Sequence, residues 1–421
     1  MKIDFSRNKK FIVRKNCVLC GSKSLKEVLN FKKTPLANSY VSNRNSKEIF
    51  FPLVCVHCDN CKHLQLKYLV NPKLLFENYL YVSGTSPVLI DHFKNYFLKI
   101  FRKKKFKLKK DKILDIACND GTFLDFFVKK GFSNVVGIEP AKNLRELNVE
   151  KKIDINTNFF SFKNSFKIKK KYKSFKIITA NNVMAHVPDI RDFSLGVKNI
   201  LSKNGLFIFE VSYLKDVIEK LTFDTIYHEH MSYHALAPLE NFFKSIDMKL
   251  IDFDLVEAQG GSIRVYVGHK NLKANQKKIT RQINIERKMG LLDRNIYKLY
   301  FQRISDQKNK IKKLIDNKIL KNQKILIGYG APAKVTTFSY AFNLSKKHIK
   351  FIVDDNDLKQ GKLTPGKNIK IIKFDDLKDI NFNYIIILAW NFADPIIQKL
   401  NKLNKKRKFK IIVPFPKLKI Y

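Results

Sequence analysis

Short apolar runs rich in β-branched residues alternate with helical segments in two stretches of this chain, from about residue 73 to 267 and from about residue 321 to 421. In the second stretch the runs are KILIGYG, IKFIVDD, YIIILAW and KIIVPFP. Strands that alternate with crossover segments form parallel sheets covered on both faces by helices. The pattern therefore predicts an α/β protein with two doubly wound units.

A chain of 421 residues can form several domains, each with its own core. Residues 1–72 hold five of the six cysteines, and residues 271–320 are polar and charge-rich, which is typical of long linking helices. We predict a small N-terminal lobe at 1–72, a doubly wound domain at 73–270, a helical linker at 271–320 and a Rossmann-like domain at 321–421.

The formal net charge of +45 at pH 7 raises the question of a nucleic-acid partner. The lysines are spread over nearly every segment, however, and Ile, Asn and Phe are abundant with them, which indicates a compositional bias rather than one binding face. We expect no specific nucleic acid, and keep a zinc-ribbon nucleic-acid-binding methyltransferase as an alternative. The positive field would attract any anionic substrate.

The N-terminal stretch MKIDFSRNKKFIVRKN is basic and has no apolar core typical of a signal peptide. No apolar run approaches the roughly 20 residues that span a bilayer. We therefore expect a soluble, cytoplasmic protein without a membrane partner, as a monomer or weak oligomer.

Two C-x-x-C pairs, Cys17 with Cys20 and Cys58 with Cys61, supply four thiols in the N-terminal lobe. This spacing is typical of a structural zinc ribbon or knuckle, in which tetrahedral coordination closes the site. Disulfides or free core thiols are the alternatives, but stable disulfides are rare in a cytoplasmic chain. We predict a structural zinc ion on these four cysteines, with spare ligands nearby at Cys55, His57 and His63.

The run KILDIACNDGTFLDFF predicts a strand, a tight turn and the start of a helix, and the next strand ends before Glu139. A carboxylate at that position can accept hydrogen bonds from both hydroxyls of a ribose. The turn offers only Gly121, whereas a pyrophosphate needs the G-x-G-x-x-G turn for close approach. Asp120 would repel a diphosphate but suits the ammonium and sulfonium groups of S-adenosylmethionine (SAM). The turn therefore favours SAM, with an ordinary strand-to-helix turn as the alternative.

A second polar segment, NNVMAHVPDI, follows the strand FKIITA and places Asn182 and His186 beyond the strand's carboxyl end. Open α/β sheets bind ligands at that edge. The predicted cofactor-binding residues are Asp115, Ala117, Asn119, Asp120, Gly121, Glu139 and Asn182.

The run GYGAPA, residues 328–333, fits the G-x-G-x-x-G/A turn of dinucleotide-binding domains, and Asp354 and Asp355 close the next strand. Taken alone, this turn predicts NAD binding, so an NAD-dependent sugar oxidoreductase is an alternative function. Lys334 could reach a phosphate, and Trp390 could stack on a base or fill a seam between domains.

Nine motifs in order along nearly the whole chain resemble the three-domain SAM-dependent sugar C-methyltransferases, which methylate nucleotide-bound 4-keto deoxysugars beside the ketone. The resemblance implies an N-terminal zinc lobe, a central class I methyltransferase domain, and a C-terminal Rossmann-like domain that helps to hold the nucleotide-sugar. At Ala117 the family often has glycine. The motifs are CVLCG with CDNC, YLYVSGTS, DIACNDGTFL, NNVMAHVPD, FEVSYL, FDTIYHEHMSYHAL, QGGSIRVYV, GYGAPAK and DDNDLKQGKLTPG.

The resemblance also implies roles for the Y-H-E-H segment, whose tyrosine and last histidine are Tyr227 and His230. We predict that His230 is the general base that deprotonates the carbon beside the ketone, because histidine suits that task near neutral pH. Tyr227 would bond the ketone or enolate oxygen. Glu229 would orient a neighbour, and Asn182 and His186 would line the opposite wall, with His186 as an alternative base.

For the substrate's nucleotide, the resemblance implies binding at the GYGAPA turn in place of NAD. The predicted residues are Gly328, Gly330, Lys334, Asp355 and Trp390. We expect His228 and His234 to be structural, with a metal chelate of His228 and His230 as the alternative. Arg264 is expected to pair with an acid in the core.

Overall fold

The computed structural model describes residues 5, 9–43, 45–76, 82–103, 105–404 and 407–421. The first three residues of the motif YLYVSGTS, 79–81, lie outside the described residues. None of the helices in the described ranges is both long and apolar enough to cross a membrane.

The N-terminal lobe is built from short antiparallel strands around the cysteine pairs. Its elements are β1 (Phe11–Val13), β2 (Leu25–Pro35), β3 (Phe50–Cys58), β4 (Leu64–Leu66), β5 (Tyr68–Val70) and α1 (Pro72–Phe76). Strand β3 pairs with β2 and β4, and β1 pairs with β5. The second cysteine pair therefore lies at the end of β3 and in the turn that leads into β4.

The central domain alternates strands and helices as predicted. Its elements are α2 (Pro87–Lys103), β6 (Ile113–Ile116), α3 (Thr122–Lys129), β7 (Val135–Ile138), α4 (Arg145–Glu150), β8 (Asp154–Asn156), α5 (Phe162–Tyr172), β9 (Phe175–Asn181), α6 (Ile190–Ile200), β10 (Leu201–Ser212), α7 (Leu214–Glu219), β11 (Ser232–Tyr233), α8 (Leu236–Lys244), β12 (Met248–Val256) and β13 (Ser262–His269).

Seven of these strands form one sheet in the order β12-β13-β10-β9-β6-β7-β8. The five strands from β10 to β8 are parallel, and β13 is antiparallel to both neighbours. The order reverses between β6 and β9, because the chain runs outward from β6 to β8 before it returns. Ligands bind outside the carboxyl ends of the strands at such a reversal.

Aromatic packing holds α2 and α3 on one face of this sheet. The rings of Tyr96 and Phe123 stack with their centroids 4.8 Å apart, and Phe97 meets Phe127 edge to face at 4.9 Å. The helices on the other face begin at capped residues: the Asp189 side chain accepts from the Asp192 amide at the start of α6.

The two-residue strand β11 belongs to the N-terminal sheet, where it pairs with β4. The chain leaves the central sheet after β10, contributes this strand to the N-terminal lobe, and returns through α8 and β12. The Y-H-E-H segment immediately precedes β11, so it lies where the two domains are joined. The sequence pattern did not predict this exchange.

The linker consists of α9 (Gln276–Lys288), α10 (Asn295–Lys313) and a π-helix at Leu314–Leu320. The C-terminal domain contains β14 (Leu326–Tyr329), α11 (Val335–Ala341), β15 (Phe351–Val353), β16 (Lys370–Ile372), β17 (Tyr384–Ile387), α12 (Ala393–Asn404), β18 (Lys410–Val413) and β19 (Lys419–Ile420). Its sheet has the order β16-β15-β14-β17-β18-β19, parallel except for β19. One hydrophobic core joins this domain, α10 and the π-helix of the linker, the N-terminal lobe and the segment around β11.

Candidate active site

The four predicted cysteines form a compact cluster in the N-terminal lobe. Their sulfur atoms lie within 4.8 Å of one another, with Cys17 and Cys61 at 3.4 Å and Cys20 and Cys58 at 3.6 Å. Tetrahedral zinc with bonds of about 2.3 Å places its sulfur ligands about 3.8 Å apart, so the donor set fits zinc. Among the described residues this is the one group with the geometry to hold a metal ion.

The predicted spare ligands are not part of the cluster. Cys55 is fully buried, and its burial raises the pKa of the thiol far above its usual range. His57 and His63 are also buried, and burial lowers the pKa of both rings. The structure thus assigns zinc to the two C-x-x-C pairs, where it closes the lobe.

The turn after β6 bends sharply at the edge of the central sheet. Ala117, Asn119 and Gly121 have φ angles of +56°, +56° and +73°, in the left-handed region that favours glycine. A Cβ at Gly121 would lie 2.5 Å from atoms of Asn148 and Ile153, so only glycine fits there. The turn therefore presents its backbone to the space above the sheet.

Two buried carboxylates flank this turn. Asp115 accepts a hydrogen bond from the Thr179 hydroxyl at 2.7 Å, and burial raises its pKa to about 7. Glu139 accepts from the amides of Asn119 and Ala141 at 2.8 and 2.9 Å, and burial raises its pKa. Each Glu139 oxygen keeps a second lone pair, which suits a ribose diol. This pair and the turn fit a SAM site.

Asp120 makes several contacts within the protein itself. Its carboxylate accepts from the Thr122 hydroxyl at 2.7 Å and the Gly84 amide at 3.1 Å, and it pairs with Lys151 at 3.3 Å. Only 3% of the residue is exposed. These contacts fasten the loop and the segment before α2, because three donors already surround the carboxylate. The predicted contact of Asp120 with the cationic part of SAM stays a prediction.

Asn181, the last residue of β9, escaped the sequence analysis, which singled out its neighbour Asn182. Both polar atoms of the Asn181 side chain are buried and have no partner among the described residues. An unpaired buried amide is costly unless a ligand or water completes it. Asn182 has a φ of +58° and donates its amide to the Glu210 carbonyl at 2.8 Å. The unpaired side-chain amide of Asn181 therefore supports ligand binding at this edge of the sheet. The sequence did not indicate it, because the observed strand ends at Asn181.

The Y-H-E-H segment is fixed by backbone bonds to both neighbouring loops. The Met231 amide donates to the Ala185 carbonyl at 2.7 Å, and the Leu66 amide donates to the Met231 carbonyl at 3.0 Å. The His230 amide closes a turn on the Tyr227 carbonyl at 2.9 Å. Within the segment, Tyr227 and His230 keep partial exposure while the two residues between them are buried.

The hydrogen bonds of His230 determine which ring nitrogen carries the proton. Its Nδ1 lies 2.7 Å from the Thr225 carbonyl oxygen, which can only accept, so Nδ1 is protonated. Its Nε2 lies 3.0 Å from the Tyr227 hydroxyl and holds the free lone pair. Burial lowers the pKa of His230 to about 4, and the charge of Lys334 contributes. His230 is thus a neutral ring whose unprotonated nitrogen, Nε2, faces the Tyr227 hydroxyl.

His186 lies against His230, with ring centroids 4.8 Å apart and planes at 85°. Its Nδ1 is buried and has no partner among the described residues. Burial and the nearby His230 hold the pKa of His186 well below its usual range. The two candidate bases are therefore in contact, and His230 is the one whose tautomer is fixed by a backbone acceptor.

Glu229 is buried and accepts a hydrogen bond from the Asn38 amide at 2.7 Å. Burial raises its pKa to about 7. The contact joins the Y-H-E-H segment to a loop of the N-terminal lobe. Glu229 therefore anchors the segment to Asn38, and its predicted role in the reaction stays a prediction.

The other ionisable residues near the segment are structural. The Nε2 atoms of His228 and His234 meet the carbonyl oxygens of Phe51 and Met184 at 3.2 and 3.1 Å. His228 and His230 thus bond in different places, and the structure does not bring them together as a chelate. Arg264 pairs with buried Glu210 through two bonds of 3.0 and 2.7 Å, as expected.

The Gly-rich turn after β14 is engaged by the protein itself. Asp354 accepts from the Ala331 amide at 2.6 Å, while the Ala331 carbonyl accepts from the Tyr40 hydroxyl at 2.5 Å and from Lys359 at 2.9 Å. Gly330 has a φ of +86°, and a Cβ there would lie 2.5 Å from that of Ala389. A ligand at this turn must therefore share it with Tyr40 from the N-terminal lobe.

Two other residues predicted to bind the substrate's nucleotide, Gly328 and Asp355, make contacts within the C-terminal domain. Gly328 is required by packing, since a Cβ would lie 2.7 Å from the Leu388 side chain. Asp355 is bound by the Tyr329 hydroxyl at 2.9 Å and by Lys399 at 2.8 Å.

Trp390 and Lys334 meet each other beside the Y-H-E-H segment. Trp390 is 6% exposed and donates its indole N–H to Asp224 at 2.7 Å. The Lys334 ammonium lies 4.4 Å from the centroid of the indole ring. Trp390 is thus buried against Asp224 and Lys334, and its predicted contact with a base stays a prediction.

Three domain families match consecutive parts of the chain. They are described as "Putative zinc binding domain" at residues 17–76, "Methyltransferase domain" at 87–252 and "C-methyltransferase C-terminal domain" at 257–416. The C-methyltransferase NovU of Streptomyces niveus is 28% identical over 410 residues, which cover 96% of each chain.

Solved methyltransferase structures align with part of the chain. One from Clostridium acetobutylicum covers 43% of this chain and 92% of its own, with 14% identity and a TM-score of 0.33. The magnesium protoporphyrin IX methyltransferase ChlM of Synechocystis, solved with bound SAM, covers 42% and 78%, with 8% identity and a TM-score of 0.32.

The three families follow one another in the order of the zinc lobe, the central domain and the C-terminal domain, and NovU matches the chain over nearly its whole length. The chain therefore combines a zinc-binding domain, a methyltransferase domain and a C-methyltransferase C-terminal domain, and it is a methyltransferase with SAM as its methyl donor and zinc in its N-terminal lobe.

Proposed function

We propose that this C-methyltransferase acts on a nucleotide-bound 4-keto deoxysugar and methylates the carbon beside the ketone. The observation that supports it most is the tautomer of His230. Nδ1 is held by the Thr225 carbonyl, and the lone pair on Nε2 faces the Tyr227 hydroxyl. A base beside a hydroxyl donor is the pair that enolate formation from a ketone requires.

The chain's own residues divide the work of the reaction. His230 Nε2 accepts the proton from the carbon beside the ketone, and its Nδ1 hydrogen bond to Thr225 steadies the ring. Before this transfer Tyr227 turns its hydrogen from Nε2 toward the ketone oxygen, which frees the Nε2 lone pair for the proton. Bound SAM supplies an electrophilic methyl group on its sulfonium. The walls formed by His186 and Asn182 limit the water that reaches the enolate.

The cofactor part of the site rests on the turn after β6. Glu139 would bind the ribose hydroxyls, and the backbone of Ala117, Asn119 and Gly121 would approach the methionyl part. Asn181 would complete its unpaired amide on the same ligand. The nucleotide of the substrate would lie toward the C-terminal domain, near the turn that contains Gly330.

Thermal unfolding with a panel of ligands tests this proposal without knowledge of the true sugar. A ligand that binds only the folded protein raises Tm by mass action. We expect S-adenosylhomocysteine and one of the thymidine, uridine or guanosine diphosphates to raise Tm, and NAD to leave it unchanged.

Other outcomes of the panel would contradict the proposal. Stabilisation by NAD alone would favour the sugar oxidoreductase. Stabilisation by S-adenosylhomocysteine without any nucleoside diphosphate, together with RNA binding that persists at moderate salt, would favour a nucleic-acid substrate.

A further inference from the structure

Lys334 is a buried cation beside the proposed active site. It immediately precedes α11, only 8% of it is exposed, and its Nζ lies over the Trp390 ring. Among the described residues no hydrogen bond or direct ion pair involves this ammonium, and Asp224 is the nearby anion whose charge acts on it. Burial of an ammonium without a direct ion pair is costly, so an anionic ligand beside it would stabilise it.

Asp224 provides a second incompletely bonded group at the same place. It is 1% exposed, its Oδ2 accepts from the Trp390 indole, and its Oδ1 has no partner among the described residues. The indole ring thus holds an ammonium over its face and a carboxylate at its N–H edge. The carboxylate fixes the ring, and the ring places the ammonium.

His230 connects this cluster with the chemistry. Thr225, which holds His230 Nδ1, directly follows Asp224 in the chain, and the charge of Lys334 is felt at the His230 ring. When His230 accepts a proton, a second buried cation forms near the first, and like charges repel strongly in such a site. An anion that forms in the same step at the same place offsets this repulsion.

We propose that the Lys334 ammonium donates a hydrogen bond to the ketone oxygen of the substrate and stabilises the enolate, together with Tyr227. This inference rests on the function proposed above. The C–H electron pair becomes the C=C bond, the carbonyl π pair moves to oxygen, and the proton goes to His230. The enolate carbon then bonds to the methyl carbon while the methyl–sulfur bond breaks, and its electron pair remains on sulfur.

The same surroundings disfavour a diphosphate as the partner of Lys334. Asp224 keeps an unpaired carboxylate oxygen nearby, which repels any anion but repels a diphosphate, with two or more negative charges, more strongly than a singly charged enolate. One ammonium matches the single charge of an enolate. In this proposal Lys334 acts at the ketone rather than at the nucleotide.

Deuterium exchange separates enolate formation from methyl transfer. Thymidine diphosphate 4-keto-6-deoxyglucose is incubated in D2O with the protein and without SAM, and enzyme-dependent deuterium uptake beside the ketone is measured by mass spectrometry. We expect Lys334→Met to lower the exchange rate by about 10²–10³-fold, the usual loss for one oxyanion donor. Stabilisation by thymidine diphosphate and by S-adenosylhomocysteine should stay at the wild-type level.

Lys399→Met is the matched control, because this lysine also lies over an aromatic ring, Phe374, at 4.0 Å, but is paired with Asp355. Its exchange rate should stay within about two-fold of wild type. Should Lys334→Met fail to fold, Lys334→Gln and Lys334→Arg are compared in its place. An arginine that retains more exchange than the glutamine supports the cationic role.

Exchange at the wild-type rate in Lys334→Met, or a loss of thymidine diphosphate binding with normal exchange at saturation, would overturn the assignment. A wild-type protein that exchanges deuterium into neither this probe nor its uridine and guanosine analogues would overturn the proposed function itself. The second failure is visible without any variant, so the two are distinguishable.

Discussion

The turn after β6 and the turn after β14 each connect a strand to a helix, at corresponding edges of two doubly wound sheets. In both, an acid at the end of the neighbouring strand accepts an amide of the turn: Glu139 from Asn119, and Asp354 from Ala331. The central turn has three residues with positive φ, whereas in the C-terminal turn Tyr40 and Lys359 occupy the Ala331 carbonyl.

The difference shows that a shared unit does not fix a shared ligand. The open conformation of the central turn gives a cofactor access to backbone groups. The C-terminal turn is closed by contacts with the N-terminal lobe, so a dinucleotide would first have to displace them. The Y-H-E-H segment lies between the two edges, where both can serve one reaction.

Replacement of His230 is expected to have the largest effect. His230→Ala should lower kcat by about 10²-fold or more, the usual contribution of a general base, while the affinity for S-adenosylhomocysteine is unchanged. The control is His269→Ala, because His269 also bonds a carbonyl, that of Leu201, but at the opposite edge of the sheet. Steady-state methylation and calorimetric binding measure both quantities. Turnover retained in His230→Ala would transfer the role of base to His186.

The sequence could predict each edge because its determinants are local. Strand, turn and helix follow one another within about 15 residues at each edge. The two C-x-x-C motifs are equally short, and their spacing predicts a zinc site. Non-local contacts could not be predicted from the sequence. They are the pairing of β11 with the N-terminal sheet, the hydrogen bond of Tyr40 to the turn after β14, and the contact of Lys334 with the Trp390 ring. These join segments far apart in the chain, so no period or spacing reports them. Asn181 was missed because the strand ends one residue later than its pattern indicated.

The matched acids provide the second prediction. Glu139→Ala should weaken S-adenosylhomocysteine about 10- to 100-fold, since hydrogen bonds to a charged group contribute about 1.5–3 kcal/mol. Asp354→Ala removes the equivalent bond to the other turn and should leave that affinity within about two-fold. Both variants should lose similar stability, because each acid holds an amide of its turn. Calorimetry and thermal unfolding measure these effects.

Equal weakening of S-adenosylhomocysteine by the two variants would mean that a general loss of structure, rather than the ribose contact, decides affinity. No weakening by Glu139→Ala would place the ribose elsewhere on the central edge. Either outcome would remove the functional contrast between the two turns and leave only the structural one.

The smallest effect concerns one alanine in each turn. Ala117 has a φ of +56°, which costs an L-residue about 1–2 kcal/mol, while glycine loses about 0.4–1 kcal/mol through the greater entropy of the unfolded chain. Ala117→Gly should therefore raise the free energy of unfolding by up to about 1 kcal/mol. Ala331 is fully buried and is not among the residues with positive φ. Ala331→Gly should lower the free energy by about 1–2 kcal/mol, because it adds the same entropy and removes a buried methyl group. Opposite shifts in Tm would confirm that the central turn is the strained one, whereas a loss in both variants would show that the Ala117 methyl contributes more through packing than its backbone angle costs.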